Sequence, residues 1–273
     1  MTLNMSRAWD DAVAIISANR DVISIVAGVF FFLPYLAFML LVPNPMMEMA
    51  SQPGADPDQV IAMLQEFYLS NWWVFLLVSV AQYIGMLGAL ALLRDDKRPT
   101  VGEALKFGLI AFLPFFATQI LLGLGMGLIL SVPVFIGIIT RSIALGVLLG
   151  MATLVALMYL AIKFSLAAPI IAIEKNLNPI AVLRRSWELT KGNSLRLLGF
   201  YALLMIVFLV ISMVLSMVSG LFLALMGAEI ALIANGIVSG ILNAVWIVLM
   251  LGVWAAVHRQ LAGETASVAE QFS

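Results

Sequence analysis

Apolar residues run along this chain in blocks long enough to cross about 30 Å of hydrocarbon, at about 1.5 Å of helix rise per residue. Six such runs predict spans at approximately 22–42, 72–93, 107–130, 142–162, 197–225 and 230–257. Only Met226 to Glu229 separate the last two, which predicts a tight turn. An apolar tail, Phe164 to Ile173, follows the fourth run and either continues that helix or bends at Pro169.

Between the runs the pattern changes to a helical period with one polar face. Residues 6–18 place Trp9, Val13 and Ile16 opposite Arg7, Asp10 and Asp11. Residues 100–106 open with Thr100 and Glu103 at capping-box spacing. Residues 178–191 open with Asn178 as N-cap and Pro179 at the first helical position, and Gly192 follows as terminator. On a wheel of about 100° per residue, Arg184, Arg185, Glu188 and Lys191 share one arc of roughly 120°. Val182, Leu183, Trp187 and Leu189 fall outside it. A short helix with a basic face and a tryptophan on its apolar face suits a membrane surface. A fourth amphipathic segment, at about 57–68, is capped by Asp56 and carries Val60, Met63, Leu64 and Phe67 on one face. It is expected to lie on the outer leaflet or to cover a cavity between spans.

The segments repeat. Phe32-Leu33-Pro34-Tyr35 is echoed by Phe112-Leu113-Pro114-Phe115, and Arg7-Ala8-Trp9-Asp10 by Arg185-Ser186-Trp187-Glu188. Each odd-numbered span follows an amphipathic segment, which predicts three units, each an interfacial helix followed by a two-span hairpin. The expectation is one all-α, six-span membrane domain over 1–273.

Composition agrees with this. Hydrophobic residues make up 63% and charged residues 11%, against about 25% charged in soluble domains. The distribution of charge says more than the net value of -1. Thirteen of the fourteen basic residues fall on one side of the predicted spans and Arg141 alone on the other. By the positive-inside rule both termini are then cytoplasmic. The first twenty-one residues carry Asp10, Asp11 and Asp21 and lack the short apolar core of a removable signal peptide, so the first run is expected to be a retained span.

Candidate chemistry is sparse. There is no cysteine, and His258 is the single histidine, expected at the interfacial end of the last span beside Arg259. A zinc site needs three or four ligands, which this residue set does not offer. Met46-Met47-Glu48-Met49 has soft donors for a cation such as Cu(I) but reads more simply as an apolar loop at lipid. A serine nucleophile at Ser239 would need a base at the same depth, and His258 lies nineteen residues along the same helix. No cofactor, metal or catalytic residue is expected, and no nucleic acid partner.

Polar positions within the spans are the remaining candidates. Asn235, Ser239 and Asn243 recur every four residues beside Gly236 and Gly240, and Ser212, Ser216 and Gly220 form a similar stripe on the fifth span. These two stripes are expected to face one another, as are Gly123/Gly127 and Gly146/Gly150 on the third and fourth spans. Gln82 and Gln119 are further amides within spans. Asn235, Ser239, Asn243, Gln82 and Gln119 read as an intramembrane polar face that serves packing or lines a polar cavity. Arg184, Arg185, Trp187, Lys191 and Arg141 read as contacts for anionic phospholipid or for a membrane protein partner, a second copy of the chain included. Glu188 is expected to pair part of that charge.

From Ala168-Pro169-Ile170-Ile171 through Glu174-Lys175 to Pro179-Ile180-Ala181-Val182-Leu183-Arg184-Arg185-Ser186-Trp187-Glu188-Leu189-Thr190-Lys191-Gly192, the chain resembles the YciC-like (UPF0259) bacterial membrane proteins. It also resembles the related membrane domain attached to glycerophosphodiester phosphodiesterases. Span count and the N-terminal Ser6-Arg7-Ala8-Trp9 extend the resemblance over most of the chain, and 169–192 is its specific part. The resemblance implies a six-span bacterial inner-membrane protein linked to envelope lipid. The phosphodiesterase domain, with its paired histidines and acidic metal ligands, has no counterpart in these residues. The reading is a non-enzymatic protein that handles or senses envelope lipid or scaffolds a membrane complex; the alternative is a transporter or exporter of a small amphiphilic or lipid-like molecule.

Overall fold

The structure, a computed structural model, describes residues 2–42, 56–93, 100–223 and 225–271. The methionines at 46, 47 and 49 and the basic residues at 94, 97 and 98 lie outside the described residues. Those described are 90% helix, with no strand. Six helices are long and apolar enough to cross a membrane.

The first short helix, α1 (Met5–Ala18), starts where the Asn4 side chain accepts from the Arg7 N–H. Its covered face is Ala8, Ala12 and Ile15, while Trp9 and Val13 point outward. The face that packs is therefore the small one, because small side chains let backbones approach. At Gly252 an added Cβ would meet the Ile16 side chain at 2.6 Å and the Ala12 carbonyl at 3.2 Å. That glycine sets the fit of α1.

The helix α2 (Arg20–Leu41) contains a π-helical turn at Gly28–Phe32. Pro34 lacks an N–H, so the regular ladder cannot continue unbroken through this turn. Next, α3 (Pro57–Leu92) is a single helix of 36 residues, about 54 Å long. The expected outer-loop helix at 57–68 and span at 72–93 are thus continuous; Leu69 to Asn71 contain no breaker. The same holds for α4 (Val101–Thr140). Thr100 and Glu103 form the capping box, with Thr100 N–H donating to Glu103 Oε2 at 2.9 Å. The helix then runs on through Pro114 and Pro133 as one piece, absorbing the expected segment 100–106 and extending past 130. Arg141, at φ 51, ends it in the left-handed region.

Ser142 caps α5 (Ile143–Lys163) by accepting from the Leu145 N–H. The backbones of α4 and α5 come closest at Gly137 and Gly146, where a Cβ on either would lie 3.4 Å from the other's Cα. Gly123, Gly127 and Gly150, expected to make such a contact, have no neighbouring atom within 4 Å of an added Cβ. Leu113, Leu128 and Ile143 are largely uncovered, as suits side chains facing acyl chains.

The apolar tail breaks before Pro169, at Phe164 to Leu166, and re-forms as the buried helix α6 (Ala167–Ile173). Helix α7 (Pro179–Thr190) has its cap at Asn178, whose Oδ1 accepts from Ile180 N–H at 3.0 Å and Ala181 N–H at 3.3 Å. Gly192, at φ 81, follows it. The last two helices are α8 (Ser194–Leu223) and α9 (Ala228–Gln271). The latter continues well past residue 257, where the sixth span was expected to end.

Backbone contacts divide the chain into two compact units. One comprises Met1–Asn19, Leu87–Ile206 and Leu249–Ser273, the other Arg20–Met86 and Val207–Val248.

Candidate functional site

In the first unit, polar side chains converge on the inner side of α7. That side consists of Val182, Ser186, Leu189 and Thr190, all buried. Ser186 Oγ donates to the Lys163 carbonyl at 2.8 Å, and Thr190 Oγ1 reaches the same oxygen at 3.3 Å. The last carbonyls of a helix have no partner within it, so the Ser186 hydroxyl completes the end of α5 and fastens α7 to it, while the Thr190 hydroxyl sits closer to the Ser186 carbonyl, at 2.9 Å. The Lys163 side chain is 3% exposed and lies over two rings, 5.0 Å from the Trp187 centroid and 5.4 Å from that of Tyr159. Phe164 closes on Trp187 at 5.7 Å. A cation over aromatic faces recovers part of the solvation it loses on burial.

Glu174, in the link between α6 and α7, is the centre of the charged cluster. Its carboxylate accepts from Arg185 Nε at 3.3 Å and meets His258 Nε2 at 2.9 Å. Burial pushes the Glu174 carboxyl up; the hydrogen bond to His258 and the charges of Arg185 and His258 outweigh that, leaving it below its ordinary value near 4.5. His258, expected at the interfacial end of the last span beside Arg259, is 4% exposed and has Glu174 as its partner. It is buried because α9 continues as helix past 257, so this turn still faces the protein. Nearby, the Leu3 N–H donates to Asn193 Oδ1 at 2.8 Å and the Asn4 N–H to Gln260 Oε1 at 3.4 Å. The residues before α1 are thereby tied to the same unit.

The outer side of α7 is different. Ile180, Arg184, Trp187, Glu188 and Lys191 are exposed, at positions that share one helix face. Arg184 Nε donates to Glu188 at 3.0 Å, the pairing expected from their spacing. Trp187 is 39% exposed, with its remaining surface against Tyr159, Phe164 and Lys163. Of the residues read as lipid or partner contacts, the fold keeps Arg184, Trp187 and Lys191 outward. It takes Arg185 into the Glu174 cluster and places Arg141 at the far end of α5, about 30 Å along.

The second unit shows what the asparagine stripe meets. Gly236 faces Leu36 and Leu40, and Gly240 faces Phe32, at 3.0–3.1 Å from an added Cβ at their nearest. Asn243 Nδ2 donates to the Phe31 carbonyl at 3.2 Å. Gly236, Gly240 and Asn243 therefore pack against α2, while Gly220, expected opposite the stripe, has no neighbour within 4 Å of an added Cβ. An amide from a neighbouring helix serves a carbonyl inside the π-helical turn, which is how irregular backbone is accommodated in hydrocarbon. Ser239 is half-buried and Asn235 exposed, and Gln82 and Gln119, half-buried, belong to different units.

Sequence reasoning missed the Glu174–Arg185–His258 cluster and the buried Lys163. One local signal was present: Ser186 and Thr190, four residues apart, put two hydroxyls on the side of α7 opposite its charges. Among the described residues no group of three or more His, Cys, Asp or Glu is placed to hold a metal ion. No family model, curated protein or solved structure matches the chain.

Proposed function

We propose that this is a multi-pass protein of a bacterial inner membrane, both termini cytoplasmic, that works without catalysis by handling or sensing anionic phospholipid at its cytoplasmic face. The supporting observation is the two-sidedness of α7. Its inner face is consumed by hydrogen bonds and packing, while its outer face presents Trp187 and Ile180 beside Arg184 and Lys191. Amphipathic aromatic and basic side chains of this kind suit the headgroup layer. The resemblance of 169–192 to YciC-like proteins, itself a proposal, points to the same setting.

The test is native mass spectrometry of protein released from mild detergent. The unaltered protein should retain phosphatidylglycerol or cardiolipin in fixed ratio. Arg184→Gln/Lys191→Gln should lower that retention up to roughly thirty-fold, at about 1 kcal/mol per basic residue. A clean protein mass, or one carrying a partner chain, would replace the lipid reading with scaffolding. Orientation has its own test, since the chain lacks cysteine: Ser6→Cys and Ser142→Cys should react with impermeant maleimide from opposite sides. Labelling from the same side would overturn the topology.

A further inference from the structure

We infer that a groove between α2 and α3, in the second unit, is a binding site for a single alkyl chain carrying an uncharged, hydroxyl-bearing head. The inference is independent of the phospholipid reading of α7 and needs only that these helices span the membrane.

The groove encloses about 340 Å³, at the low end of the range of ligand sites. It exists because large and small side chains sit side by side. Phe38 of α2 meets Phe75 of α3 with ring centroids 5.1 Å apart, and Phe75 in turn stacks near Phe67 and Tyr68 at 5.8 and 5.6 Å. These rings hold the two helices a ring's width apart. Alongside them Pro34, Ala37, Val74 and Val78 are too small to fill the gap they line.

Among the described residues its lining is apolar except at one end, where Asn71 and the indole N–H of Trp73 are polar. An ordered water needs two to four polar partners, so away from that end the occupant is hydrocarbon. The walls give it direction. Asn71 stands at one end of the α3 lining and Val78 at the other, about 10 Å apart by helix rise. Trp72, Trp73 and Tyr68, at the Asn71 level, are more than half exposed, as are aromatic residues at a membrane–water boundary. The head therefore lies at Asn71 and the chain runs toward Val78.

Asn71 also selects the head. Its Nδ2 donates to the Phe67 carbonyl at 2.9 Å, which fixes the amide and leaves Oδ1 to accept a hydrogen bond from a ligand. Among the described residues no charged side chain lines the groove, and exposed Asp58 and Glu66 lie on the same helix toward its start. An anionic head would find repulsion and no counter-charge there. A hydroxyl donor has what it needs. This is the opposite selectivity to that of the basic face of α7.

The experiment places the full-length protein in phosphatidylcholine nanodiscs with either of two probes, a monoacylglycerol or a fatty acid, each bearing a diazirine in its chain. Labelled peptides are then mapped. The monoacylglycerol should label 34–42 and 73–78 at least ten-fold above lipid-facing segments such as 121–128, and the fatty acid should not. Ala37→Phe, or Val78→Phe from the opposite wall, should abolish the preference, and Asn71→Leu should reduce it about five-fold. Uniform labelling of the unaltered protein, or preference unchanged in both filled variants, would overturn the site. Equal labelling by the fatty acid would overturn the choice of head. The unaltered protein decides the first point even where a filled variant folds poorly.

Discussion

Both units bring helices close at glycines, Gly252 and the Gly137/Gly146 pair in the first and Gly236 and Gly240 in the second, and the first adds charged and hydroxyl bridges to that contact. In the first, side chains bridge elements far apart in sequence: Asn193 to Leu3, Ser186 and Thr190 to the Lys163 carbonyl, Glu174 to both Arg185 and His258. In the second, Gly236 and Gly240 admit α2 to close contact and the Asn243 amide serves the Phe31 carbonyl. The difference follows from what each group needs. A partly covered carboxylate and guanidinium, and a buried imidazole, are each favoured by a matching partner. A glycine face demands only shape, and an amide can make good one backbone irregularity without importing charge. The two proposed binding roles draw on what these contacts leave: basic groups outside the ionic cluster in one unit, an apolar groove in the other.

The largest effect that would break this comparison is overpacking in the second unit. Gly240→Leu, with a Cβ already 3.0 Å from the Phe32 ring, should destabilise by about 2–3 kcal/mol, read as a lower thermal midpoint in detergent. A neutral result would remove the close-contact account.

Next comes the ionic cluster. Glu174→Gln should lose roughly 1–2 kcal/mol at pH 7, discounted because the Glu174 side chain is 26% exposed. The pH dependence has a definite sign. Because the folded carboxyl lies below its ordinary value near 4.5, its stabilisation is complete above that value and is lost as pH falls through the folded one. Unaltered protein and Glu174→Gln should therefore converge on acidification below the carboxylate range. A gap that widens instead would contradict the cluster.

Ser186→Ala should cost about 1 kcal/mol, the usual net worth of a hydrogen bond such as its 2.8 Å one to the Lys163 carbonyl. Asn243→Leu should cost about 0.6 kcal/mol, the usual worth of a side-chain hydrogen bond within a bilayer. If the order of these last two were reversed, the amide at the π-helical turn would matter more than the capping of α5.

Much of the local structure was legible. Asn178, the Thr100–Glu103 pair and Gly192 each act within a few residues of themselves, and the Arg184–Glu188 pairing needs only helical spacing. Six apolar helices follow from hydropathy alone. What could not be read depends on distance. Glu174 and His258 are 84 residues apart, and no periodicity links them. The asparagine stripe announces a close contact but not its partner, which proved to be α2. Helix bounds at α3 and α4 escaped for another reason: hydropathy marks where the apolar surface stops, whereas a helix stops only where its backbone is interrupted.

The central claim is that α7 has a structural side and a free side, and one paired measurement tests it. Thermal midpoint and retained anionic lipid would be recorded on the same preparations of Arg184→Gln/Lys191→Gln and of Arg185→Gln. The account predicts opposite outcomes. The double variant keeps its midpoint, within about 0.5 kcal/mol as for surface changes, and loses lipid; Arg185→Gln loses stability and keeps lipid. If Arg185→Gln alone strips the lipid while the double variant retains it, the ligand lies at the Glu174 cluster and the two sides of α7 have been assigned the wrong way round.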